Sequence, residues 1–114
     1  MMKKTVVGLV VAGAALIGAS PASAALESYS PSGKMGAWTQ VNDTQVAVES
    51  HKTGTKGYAN YYRTTDPSAY YTLWNKTGIV DNRAYSNIGN RVTQLRACNW
   101  VPDNNDQCAN WERG

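Results

Sequence analysis

Short apolar segments, interrupted at close intervals by turn-forming clusters, make up residues 37–113 and constrain the fold more than any other feature. The interruptions are Asn42-Asp43, Gly54, Thr65-Asp66-Pro67-Ser68, Lys76-Thr77-Gly78 and Asn87-Ile88-Gly89-Asn90, and each holds residues that tolerate or preset turn dihedrals. No window between them carries the periodicity of an amphipathic helix, whereas Val, Thr, Tyr and Trp, which fit a pleated surface, recur. The pattern predicts strands at 37–41, 45–49, 57–63, 69–75, 84–86 and 91–99, with a short last strand at 109–113. Such segments build an all-β fold, here a small antiparallel β-sandwich or barrel-like domain.

Successive side chains on a strand point to opposite faces. In 45–49 this sets Val46 and Val48 against Gln45, Ala47 and Glu49, predicting one buried face and one wet face. In 57–63, Tyr58, Asn60 and Tyr62 oppose Ala59, Tyr61 and Arg63; in 69–75, Tyr70, Thr72 and Trp74 oppose Tyr71, Leu73 and Asn75. Bulky rings therefore stand on both faces of two strands. Here composition matters. All 7 Tyr and all 4 Trp follow residue 24, and Phe is absent. The large aliphatics in that part are only Leu26, Val41, Val46, Val48, Leu73, Ile79, Val80, Ile88, Val92, Leu95 and Val101. So short an inventory predicts an aromatic core, which makes core packing the first expectation for each ring. A second ring-bearing face must otherwise be covered by a loop or used for binding.

The N-terminus carries a different signal. Met1 to Lys4 are positively charged, 5–18 is apolar, and Ala22-Ser23-Ala24 supplies small residues at a cleavage site, the three parts of an export signal in order. Secretion with cleavage after Ala24 is expected. The apolar stretch is shorter than the ~20 residues that span a bilayer, so no membrane association is expected once the signal is removed. Residues 25–36, rich in Ser, Pro and Gly, read as a flexible leader or an irregular first strand, with the leader preferred, and 37–114 as a single β domain. The chain has 11 Lys plus Arg against 8 Asp plus Glu, a net charge of +3, and loss of Lys3 and Lys4 brings this close to neutral. That lacks the clustered cationic excess of a nucleic-acid-binding module. At this size a monomer is expected.

Cys98 and Cys108 are the only cysteines, and an oxidising compartment lets them form a disulfide. The enclosed residues include Pro102 and the run Asp103-Asn104-Asn105-Asp106, which favour a tight, exposed turn. The bridge reads as a structural staple, because its spacer is far longer than that of a redox CxxC pair. The ending Leu95-Arg96-Ala97-Cys98, Trp100, Pro102-Asp103, Cys108 and Trp111 resembles that of small secreted actinomycete proteins. In these a Val- or Leu-bearing strand leads to a Cys, a Trp-x-Pro-Asp segment, a second Cys and a Trp. Tyr61-Tyr62-Arg63 and Leu73-Trp74-Asn75 are similar in kind to their preceding strands. The resemblance implies a compact secreted β domain and no particular chemistry.

Catalytic signals are sparse. His51 is the only histidine and has no nucleophile motif beside it, so it reads as a loop residue and no catalytic site is expected. One His and two bridged Cys cannot supply a zinc site. The 103–106 run offers oxygen ligands for calcium but lacks the ligand spacing of an EF-hand, and reads as a solvated turn. No phosphate-binding glycine loop is present, and no cofactor is expected. The remaining expectation is non-catalytic recognition of an extracellular protein or glycan, including cell-wall material, by rings acting as rigid anchors. The candidate surface is Trp100, Trp111, Tyr70 and Tyr71 with Asp103, Asn104, Asn105 and Asp106. Loop 99–107 also suits an inhibitor of an extracellular hydrolase. Trp38 and Asn60-Tyr61-Tyr62 are distantly similar to lactococcin-like bacteriocins, in which the Cys98 to Cys108 ending is not expected.

Overall fold

The Val46/Val48 alternation pairs with the preceding segment to form a hairpin in the computed structural model, which describes residues 25–114. The export signal expected at 1–24 lies outside the described residues. Nine strands are present among the described residues: β1 (Glu27–Tyr29), β2 (Met35–Gln40), β3 (Gln45–Ser50), β4 (Gly57–Arg63), β5 (Asp66–Asn75), β6 (Arg83–Tyr85), β7 (Val92–Asn99), β8 (Gln107–Cys108) and β9 (Glu112–Arg113), with a 3-10 turn at Pro31–Gly33. They form two antiparallel sheets. The smaller has the order β1-β2-β3-β6; the larger has the order β9-β7-β4-β5, with β8 also paired to β7. Among the described residues no helix is long and apolar enough to cross a membrane.

The sheets face each other as a sandwich, as the strand pattern predicts. Leu26, Met35, Ala37, Val46 and Val48 from the smaller sheet meet Ala59, Tyr61, Val92, Leu95 and Ala97 from the larger. This corrects the expectation of an aromatic core: Tyr61 is the only ring in it. The physical reason lies in the alanines. Ala37, Ala59 and Ala97 are fully buried, and such small side chains let Val, Leu and Met from the facing sheet fill the roughly 10 Å between two packed sheets without further rings. Even some of the scarce aliphatics stay outside, since Ile79 and Ile88 are exposed.

Two other expectations are revised. Of the two readings of residues 25–36 the preferred flexible leader gives way to the irregular first strand: β1 pairs with β2, and Leu26, Ser28, Ser30 and Met35 are buried. Serine hydroxyls do the work that apolar side chains do elsewhere. Ser28 Oγ accepts from the Ala97 N–H at 2.8 Å, joining the two sheets, and Ser30 Oγ accepts from the Met35 N–H at 2.9 Å. The second face of β3 is not wet either. Ala47 lies opposite Trp38 and Tyr85, Arg83 stands over the Trp38 ring at 5.2 Å, and both Ala47 and Glu49 are buried.

One end of the sandwich is closed by Arg63, which is buried. Its guanidinium donates to the carbonyls of Thr44, Asn87 and Asn90 and lies 5.3 Å from the Tyr61 ring centre. At the other end Gly57 passes so close to β7 that a Cβ would sit 2.3 Å from the Cys98 carbonyl oxygen. Cys98 and Cys108 are bonded and lie directly opposite each other across β7 and β8.

Candidate functional site

The outer face of the larger sheet carries Tyr58, Tyr62, Tyr70, Trp74 and Trp111. Cross-strand register sets them in rows. Tyr58 on β4 stands opposite Trp74 on β5 and Cys98 on β7; Asn60 stands opposite Thr72 and Arg96; Tyr62 stands opposite Gln94. Two ring groups result. Tyr58 and Trp74 have centroids 4.6 Å apart at one end. At the other, Tyr62, Tyr70 and Trp111 pack within 5.0 to 5.8 Å of one another.

Polar groups join the two. Asn60 Nδ2 donates to Thr72 Oγ1 and Asn60 Oδ1 accepts from Arg96 Nε, both at 3.0 Å. The Arg96 guanidinium then stands over Trp111 at 4.6 Å and Tyr70 at 5.7 Å, a favourable contact with the negative face of each ring. Along β5 the outward sequence is therefore ring, hydroxyl, ring at Tyr70, Thr72 and Trp74. Alternate residues of a strand are about 6.6 Å apart, so these three span about 13 Å.

The disulfide loop borders the Trp74 end. Asp106 accepts from the Tyr58 hydroxyl at 2.6 Å through Oδ2 and from the Val101 N–H at 3.2 Å through Oδ1. Burial, and then the hydrogen bond to Asp106, push the Tyr58 phenol up to about 12. Trp100 is placed by the bond from its N–H to the Lys56 carbonyl, 2.9 Å. Its ring, with Trp74, Lys56 and Lys76, lines a cleft of about 280 Å³.

The candidate residues separate once folded. Trp100, 43% exposed, borders the cleft beside Trp74, whereas Tyr70, 49% exposed, lies in the opposite ring group with half-buried Trp111 beside it. Tyr71 points to the other face. It stacks on Tyr61 at 5.4 Å, and its hydroxyl donates to Asp66. Asp103, Asn104, Asn105 and Asp106 are exposed on the loop, and of their carboxylates Asp106 is held by the two bonds to Tyr58 and Val101. Among the described residues no three His, Cys, Asp or Glu side chains converge as a metal cage.

His51 sits apart, in the turn after β3. Its Nε2 lies 2.8 Å from Glu49 Oε2, and Glu49 Oε1 accepts from Arg83 Nε at 2.8 Å. Its other ring nitrogen lies 3.3 Å from the Gly33 carbonyl, so neither nitrogen contacts a hydroxyl or thiol that it could activate. Burial raises the Glu49 carboxyl, but the hydrogen bonds from Arg83 and His51 outweigh it and hold the group below its ordinary value.

Sequence reading missed Arg96, Lys56 and Lys76 as members of this face. The alternation within β4 and β5 was a usable signal for Tyr58, Tyr62 and Trp74. The same alternation reaches Lys76, two residues after the Trp74 ring it accompanies; Arg96 and Lys56 had no such signal for their Trp111 and Trp100 neighbours, which lie elsewhere in the chain. Fold and face together define a disulfide-stapled two-sheet β domain that wears its rings outside. No protein family, characterised protein or solved structure matches the chain.

Proposed function

We propose that this is an exported, non-catalytic binding protein that recognises an extracellular or cell-wall glycan with the outer face of its larger sheet. The observation that carries the reading is that exposed rings alternate with the Thr72 hydroxyl and the Arg96 guanidinium across that face, both held by the buried Asn60 amide beneath. A saccharide presents C–H surfaces on its ring faces and hydroxyls at its edges, so it is matched by rings separated by hydrogen-bonding groups. An apolar protein surface would favour a continuous ring patch instead. Packing against one another also restricts the rings before any ligand arrives, which lowers the ordering cost of binding.

A glycan array probed with the purified protein tests this. Binding is expected, and Tyr70→Ala and Trp100→Ala should weaken it while leaving the melting temperature nearly unchanged, since both rings are exposed. Trp111→Ala should lower both, because that ring is half-buried. Array binding untouched by all three variants overturns the assignment of the face.

A second reading, inhibition of an extracellular hydrolase, draws support from loop 99–107, whose ends pair across β7 and β8 and which is anchored by the disulfide and by Asp106. Inhibition of a hydrolase panel, abolished by substitutions at Asn104 and Asn105, favours it over the glycan reading.

A further inference from the structure

We infer that the cleft between Trp74 and Trp100 is a subsite for a carboxylate-bearing sugar unit, which makes the recognised glycan an acidic one. This rests on the glycan reading and narrows it to a ligand class. The argument starts from charge. Lys56 and Lys76 both line the cleft, yet the ion pairs among the described residues both belong to Glu49, on the other sheet. Neither lysine therefore has a carboxylate partner among the described residues, and the side chains of both border one largely apolar concavity, with Lys76 Nζ beside the Trp74 ring.

The walls set the shape of the occupant. Trp74 and Trp100 are 40% and 43% exposed and offer flat indole surface. Lys76 Nζ stands 5.5 Å from the centre of the Trp74 ring, so a ring stacked on that indole comes within reach of the ammonium. Tyr58 packs against the Trp74 ring, and the Lys56 carbonyl holds the Trp100 backbone, so one wall and the root of the other are placed in advance. At about 280 Å³ the cleft lies just below the range of drug-sized sites, which begins at roughly 300 Å³, and fits one substituted ring of a longer chain. Ammonium groups act as point charges without the planar fork of arginine. They suit a carboxylate that swings about the bond to its sugar ring.

The test compares binding of the purified protein to polygalacturonate, to neutral dextran and to polyglutamate, across a range of salt. Polygalacturonate should bind best and weaken as salt rises. The double variant Lys56→Gln/Lys76→Gln should lose about tenfold or more in affinity, the scale of a lost charge-assisted bond. Trp74→Ala should lose binding as well, whereas Arg91→Gln, a charge removed from beyond the opposite end of β7, should have little effect. Equal binding to polyglutamate reduces the site to bare charge attraction and overturns the inference. Dextran binding that matches polygalacturonate and ignores the lysines overturns the acidic ligand but leaves the glycan reading intact. Binding to no polysaccharide on this panel or on the array removes both.

Discussion

Val41 stands where backbone geometry and residue type disagree. It was expected to end the second strand, but the strand stops at Gln40, and Val41, Asn42 and Asp43 follow with φ of 55°, 55° and 63°. Asparagine and aspartate tolerate this region; a β-branched residue does not. The turn persists because its neighbours hold it. Asp43 accepts from Thr39 Oγ1 at 2.5 Å, and its carbonyl accepts from the Val92 N–H at 2.7 Å. Since Val41 is half exposed and its side chain has little packing to lose, Val41→Asn should stabilise the protein by about 1 kcal/mol, read from urea denaturation. Arg63 predicts the opposite sign. Its replacement by Leu leaves the carbonyls of Thr44, Asn87 and Asn90 without their donor, and a cost of about 3 kcal/mol is expected in the same assay.

At the scale of elements, β3 shows how an edge of polar sequence becomes interior. Its alternation was legible, but the cover over Ala47 and Glu49 comes from Trp38, Arg83 and Tyr85 on neighbouring strands. Because Arg83 and His51 hold the Glu49 carboxyl below its usual value near 4.5, the ionised form favours the folded state. That contribution is complete above the ordinary glutamate range and is lost as pH falls through the lowered folded value. Denaturation midpoints should therefore fall on going from neutral pH to below about 4, and Glu49→Gln should lose stability at neutral pH and show a flatter acid limb. An unchanged acid limb in that variant places the effect in other carboxylates.

For the molecule as a whole, the staple and the first strand decide whether the outer face is assembled. Reduction of Cys98–Cys108 releases a loop from the strand that also carries Arg96, and should cost about 2 to 3 kcal/mol in the chain-entropy account. Thermal melting with and without reductant measures it. The Trp100 and Trp74 cleft should loosen first, since the loop borders that end alone. Export carries a prediction at the same scale. N-terminal sequencing of the mature protein should read Ala25, a start that keeps buried Leu26 and all of β1. Cleavage even two residues later removes Leu26 from the core, so a shortened form should melt at a lower temperature.

Much of the strand set was written locally. The segment at 57–63 has the predicted bounds, and most others shift by a residue or two at their ends, because turn chemistry and alternation are properties of consecutive residues. The cysteine pairing was equally legible, there being one way to join two thiols. What the sequence by itself could not determine was which ring-bearing face of β4 and β5 would be buried. That depended on Ala37, Ala59 and Ala97 meeting aliphatic partners across the sandwich, a matter of volume shared between strands far apart in the chain. The strand β1 was legible only as the weaker of two readings for a related reason: it is held by serine hydroxyls bonded to backbone near and far, which leave no apolar pattern. Only the tertiary structure brought Lys56 and Trp100 beside the Trp74–Lys76 pair, because cross-strand register is settled by the packing of the whole core and local sequence carries no record of it.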